Sequence, residues 1–207
     1  MAQTYETIEV ELKGIKKVVF SVDSKIGVRL IRPRNKMTKI IIFMLIVLEQ
    51  GIKLIVKNYY NVKVPIIENI LYFMPVLNED YSWFNSMFQF GWSRFFHIAL
   101  VLFVILFGYS FFKYLETKNL NKKITNTLKI FLFSGAICSL MDKIFWNGSL
   151  DYILLKGFFV FDLKDCYLTT FQVIIIIFAI KNRKTISKIN EIELVKDYIG
   201  FIRNNKA

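Results

Sequence analysis

Residues 95–112 read FFHIALVLFVILFGYSFF, with no permanent charge. A bilayer core takes about 17–25 mostly apolar helical residues, so this run is long enough to cross one. Three more runs accompany it. Residues 38–56 read TKIIIFMLIVLEQGIKLIV, and residues 124–141 read ITNTLKIFLFSGAICSLM, with Lys129 inside. Residues 166–180, CYLTTFQVIIIIFAI, are short, but Lys164 and Lys181 can snorkel at their ends. Any one of these could be a buried core helix, yet four such runs rarely coexist in a soluble chain. The expected fold is an all-α membrane protein with four transmembrane helices.

Composition agrees. The chain has 207 residues, is 55% hydrophobic, and has a mean hydropathy of +0.43. That excludes a disordered chain and argues against an ordinary soluble enzyme. Its 28 Lys and Arg against 16 Asp and Glu give a net charge of +12. A basic balance can signal nucleic acid, but the apolar runs are too long for that, and cationic ends on a membrane protein fit better. Two cysteines, Cys138 and Cys166, make no disulfide framework, although a disulfide between them or a shared metal is conceivable. The first 36 residues hold eight Lys/Arg and no continuous apolar segment, so no cleavable signal peptide is expected.

Lysine and arginine counts set the orientation. Residues 1–39 hold nine, 113–129 five and 181–207 seven, whereas 57–94 and 142–165 hold three each. The positive-inside rule places both termini in the cytoplasm and the two poorer loops outside. Three regions follow: a basic extension over 1–37, a membrane domain over 38–183, and a basic tail over 184–207. The alternation in 6–31 suggests a small hairpin. The tail has apolar residues at 186, 189, 192, 195, 199 and 202, which suits an amphipathic helix on the cytoplasmic leaflet.

Ionisable groups in or beside spans are costly and often functional. Glu49 and Lys53 lie four apart on the first span and can pair, whether for function or only to neutralise each other. Asp142 ends the third span and Asp165 precedes the fourth. A helical hairpin brings both to one membrane depth. There, one protonated and one ionised carboxylate can activate water for peptide hydrolysis. Two aspartates that merely cap helices would satisfy the same spacing.

Several segments resemble the lipoprotein signal peptidase (signal peptidase II) family. SGAICSLMDKIFWNGSLDYI, 134–153, is similar to its GGALGNLIDR…G.VVDFI block, and FDLKDCYLTTFQVIIII, 161–177, to its FNIADSAI block. LEQGIK, 48–53, resembles its DQ-x-x-K motif, and 64–84 its outer segment ending in N-x-G-A-A-F. The resemblance implies a divergent intramembrane aspartic endopeptidase in the bacterial cytoplasmic membrane, with a small outer β-cradle built from the first outer loop. It would remove the signal peptide of a prolipoprotein before a diacylglyceryl-cysteine. Carried over by position, Asp142 and Asp165 would be the catalytic pair, with Asn78, Ser139, Glu49, Lys53, Lys143 and Asp162 supporting. It implies no metal or organic cofactor, no nucleic acid, and a monomer among membrane lipids. Glu49, Ser139, Lys143 and Asp162 replace the family's Asp, Asn, Arg and Asn, and the extra acid Asp162 should raise the pair's pKa values. An altered site also admits an impaired paralogue that binds a lipopeptide, inhibitor or membrane partner without cleaving it.

Overall fold

The computed structural model describes residues 6–10, 18–23, 27–31, 36–60, 62–118, 121–187 and 190–204. The chain forms two compact units, Met1–Lys39 and Ile40–Ala207. The first holds three antiparallel strands, β1 (Glu6–Val10), β2 (Val18–Asp23) and β3 (Gly27–Ile31), in the order β1-β2-β3. The hairpin read from the sequence is thus a three-stranded meander, and the basic residues at 13, 16, 17, 32 and 34 lie outside the described residues.

In the second unit the apolar runs are helices. α1 spans Lys36–Val56, α2 Trp83–Phe88, α3 Arg94–Thr117, α4 Lys122–Met141 and α5 Leu163–Lys181. α4 packs between α3 and α5. Gly135 permits the approach to α5, because a Cβ there would meet Leu168 Cγ at 2.6 Å. Among the described helices, α3 and α5 are long and apolar enough to cross a membrane. α1 carries Lys36, Lys39, Glu49 and Lys53, and α4 carries Lys122, Lys123 and Lys129.

Burial in this unit is the reverse of a soluble globule. Phe43 and Ile55 on α1, Phe103 and Leu106 on α3, and Ile176 and Ile180 on α5 are exposed, while Glu49, Lys53, Asp142 and Asp162 are shut away. Water would penalise that apolar exterior, and a low-dielectric surround would not.

A four-stranded antiparallel sheet covers one end of the helices. Its order is β4 (Val64–Ile67), β5 (Leu71–Asn78), β6 (Ser149–Leu155) and β7 (Val160–Phe161). Half of it therefore comes from the connection between α4 and α5, not from the first long loop alone. Asn78 pairs with Ser149 in register. Leu150 and Tyr152 of β6 pack on Val56 at the end of α1. Because strand side chains alternate, Ser149 and Asp151 face the other way.

Two short helices end the chain, α6 (Arg183–Ile186) and α7 (Glu191–Asn204). The expected tail helix is broken before residue 191 and is held by α3. Tyr198 meets the rings of Phe107, Phe111 and Tyr114, and the Tyr114 hydroxyl donates to Asp197 at 2.9 Å.

Candidate active site

The chain leaves α4 through a π turn, Asp142–Trp146, and reaches Asn147 in the left-handed region, at φ 53°. Arg94 at the start of α3 clamps this turn, donating to Ile144 O at 2.8 Å and to Asn147 Oδ1 at 3.0 Å. After β6 and β7, Asp162 caps α5. Asp162 Oδ1 accepts from the Asp165 amide, and Asp165 Oδ2 accepts from the Asp162 amide, both at 3.2 Å. This reciprocal box satisfies two helix-end donors and fixes the Asp165 carboxylate in place.

Inside this frame lies a ring of alternating charge. Lys53 Nζ sits 2.5 Å from Asp142 Oδ2 and 2.7 Å from Asp162 Oδ2. Lys164 Nζ contacts the same two oxygens, at 3.3 Å from Asp142 and closer still to Asp162. The ring ties α1, α4 and α5 together at one point. Glu49 borders it, with Lys53 Nζ 3.1 Å from its Oε1 and the Tyr152 hydroxyl donating to its Oε2 at 3.0 Å. Gln50 donates to Asp142 Oδ1 at 3.3 Å, and Trp146 Nε1 holds Gln50 at 3.1 Å. Asp142 therefore has both oxygens engaged and no exposure.

Beside the ring, β6 supplies another carboxylate. One oxygen from each of Asp151, Asp162 and Asp165 lies within 4.8 Å of the other two. Such a trio could share a cation, and the Lys164 ammonium already lies among them, 3.2 Å from Asp151 Oδ1 and 3.9 Å from Asp165 Oδ1. Ser149 completes the link. It accepts from Lys164 at 2.7 Å and donates to Asp151 Oδ1 at 2.8 Å. The Asp165 side chain is 42% exposed, whereas that of Asp151 is 9% exposed.

These surroundings move proton affinities in opposite directions. Burial pushes the Asp151 carboxyl above its ordinary value, and Lys164 offsets only part of that. Burial would raise Asp162 too, but Lys164 and Lys53 hold its carboxyl well below the usual carboxylate range. Lys143, buried and facing Lys164, is pushed down to about 8.

The family model for signal peptidase (SPase) II matches residues 41–181. The chain belongs to the signal peptidase II family. That family consists of bacterial membrane aspartic peptidases that process lipoproteins. This member's fold is similar to two solved bacterial membrane enzyme structures obtained by the in meso method. One is 17% identical with a TM-score of 0.61, covering 75% of this chain and 94% of the other. The second is 18% identical with a TM-score of 0.60, covering 72% and 95%. Among curated proteins nothing matches this sequence.

In this signal peptidase II chain, the structure gathers most of the residues singled out from the sequence. Glu49, Lys53, Asp142, Asp162 and Asp165 meet as described. The extra acid Asp162 does not stand unopposed, since Lys164 and Lys53 face it. Ser139 accepts from Lys143 Nζ at 2.9 Å. Asn78 accepts from the Asp80 amide at 3.0 Å, capping the turn that follows β5. Both cysteines are free. His97 is buried, with Nε2 3.1 Å from Ser82 Oγ and Nδ1 3.0 Å from Ser93 O.

Two residues were missed. Lys164 does not snorkel outward; it turns back among the acids, because burying four carboxylates together is worse than burying a cation with them. Asp151 was passed over, although its signal was present: SLDYI aligns with the VVDFI segment of the family block, acid on acid.

Proposed function

We propose that this protein hydrolyses the peptide bond before a diacylglyceryl-cysteine in bacterial prolipoproteins, with Asp151 and Asp165 as the acid pair. The observation that carries this reading is the meeting of a buried carboxylate on β6 with a half-exposed one on α5, within 4.8 Å, at the sheet-covered end of an apolar helix assembly. On this reading α1, α3, α4 and α5 all span the cytoplasmic membrane. The sheet lies at its outer face and both termini lie in the cytoplasm.

The roles follow from environment. Asp151, the less exposed of the two, keeps the shared proton and delivers it to the substrate carbonyl oxygen. Asp165, whose side chain is 42% exposed, takes the proton from the attacking water. Asp142, the partner expected from spacing, is assigned instead to holding three helices, because two ammonium groups and Gln50 already occupy its oxygens. Beside this site, a groove of about 490 Å³ is lined by Gln50, Leu54, Lys57, Met141, Phe145 and Trp146. Its mostly apolar lining suits the signal helix of a precursor, and Gln50 connects it to the acids.

The test is cleavage of a lipid-modified precursor by protein reconstituted in bilayers. Asp151→Asn and Asp165→Asn should each lose about 10²–10⁴-fold in turnover while staying folded. Asp142→Asn should lower the unfolding temperature and leave turnover by the folded fraction measurable. If Asp151→Asn cleaves like the wild type and Asp142→Asn is inert yet folded, the pair is Asp142 and Asp165. One observation favours a second reading, binding without cleavage: Lys164 Nζ lies within 4 Å of both members of the pair, where water must come. Wild-type protein that binds the precursor and releases no signal peptide at any pH would establish that reading.

A further inference from the structure

We infer that Lys164 is a positioning residue whose ammonium, anchored by Asp162, is the built-in counter-charge of the acid pair. The inference rests on the reading of Asp151 and Asp165 as that pair. Among the described residues, Lys164 is the cation lying within 4 Å of both. It also touches Asp142, Asp162 and Ser149, so its position is fixed from α4, β6 and α5 at once. An ammonium has three protons. Here they are spent on Asp162, Ser149 and the nearest of the remaining oxygens, which leaves Lys164 holding the acids in place instead of meeting the substrate.

Asp162 and Lys164 act as one unit. They lie two residues apart at the mouth of α5, and both are neutral in the FNIADSAI block that this segment resembles. Introduced together they add no net charge. Introduced singly, either one would unbalance a site that also holds Glu49 and Lys53 from α1, Cys138, Asp142 and Lys143 from α4 and its π turn, Asp151 and Tyr152 from β6, and Asp165 and Cys166 from α5. Removing both leaves the Lys53–Asp142 pair intact and the acid pair without either neighbour.

The sign of the electrostatic effect is fixed. A cation beside two carboxylates favours their ionised forms, so its loss makes each hold its proton to higher pH. An acid pair works when one member is protonated and the other is not. Both limbs of its pH–rate profile should therefore move upward when Lys164 is removed and downward when Asp162 is removed.

The experiment is a double-mutant cycle on the full chain in lipid nanodiscs: wild type, Lys164→Met, Asp162→Asn and the double variant. Two readouts are taken, the thermal unfolding midpoint and the pH–rate profile for a synthetic diacylglyceryl-cysteine precursor peptide. Each single variant should lose about 10 °C in midpoint, and the double variant should recover most of it. Lys164→Met should move both limbs up by about 1–3 pH units, Asp162→Asn should move them down, and the double variant should return them toward the wild type. Additive losses in the cycle overturn the inference, as does a fall in rate with both limbs unmoved. If the wild type cleaves nothing, the proposed function fails and the midpoints decide the counter-charge alone. If the wild type cleaves but the cycle is additive, the function stands and the counter-charge role falls.

Discussion

Lysine–aspartate contacts tie helices together at both ends of α3, and the two ends differ in solvent. Near its start lies the ring of Lys53, Asp142, Lys164 and Asp162, with side-chain exposures of 0, 0, 6 and 0%. Near its end, Lys118 meets Asp197 of α7 with exposures of 44 and 54%. The chemistry is the same, but the energetics are not. A buried charge that loses its partner has no water to turn to, whereas an exposed one is rehydrated. Losing one partner should therefore cost the fold much more at the first contact than at the second.

The largest expected effect comes from cutting the ring. Lys53→Met strands Glu49 and leaves Asp142 and Asp162 with Lys164 alone, and it should cost about 3–5 kcal/mol in a denaturant titration of the protein in detergent. A loss below about 1 kcal/mol would erase the contrast between the two ends.

Next comes Lys143, which is buried at the same end and, among the described residues, hydrogen-bonds to Ser139 alone. Burial and then Lys164 bring it down to about 8, so its folded-state proton affinity lies below that of the unfolded chain. The neutral form suits the fold. Stability should accordingly rise as pH climbs from about 8 to about 10.4, the ordinary lysine value. Lys143→Met should flatten that rise and gain about 1–3 kcal/mol at pH 7. A loss of stability would show that the Ser139 contact outweighs desolvation.

A smaller effect sharpens the comparison by pH. Asp162 is held below its ordinary value, so its contribution is complete above about pH 4 and is lost as acid protonates it. Asp151 is raised and works in the opposite sense, favouring the fold at low pH until it ionises. Asp162→Asn should remove part of the acid sensitivity, and acid unfolding followed by tryptophan fluorescence measures it. The smallest effect belongs to the exposed end. Lys118→Ala and Asp197→Ala should leave the unfolding midpoint within measurement scatter, and salt should change neither variant. A clear drop would mean that α7 is held by this pair and not by the ring contacts of Tyr198.

How much was legible differs element by element. The four long helices were read to within a few residues, because a run of some twenty apolar residues has few alternatives. The sheet was only half visible. SLDYILL is short and apolar, and such a run reads as strand or helix until its neighbours are known. In the site, residue types and their end of the molecule were legible. Which acid faces which was not, because Asp142 and Asp151 both come close to α5 along the chain.

By itself the sequence determined long apolar helices, their charge asymmetry and the family, since these depend on counts and periods along the chain. Only the tertiary structure decided that Lys164 turns inward, that Asp142 is consumed by a ring of charges, and that Asp151 stands beside Asp165. The physical reason is that desolvation and Coulomb attraction depend on distance in space. Residues separated by a strand, a turn and a helix end acquire those distances only when the fold closes.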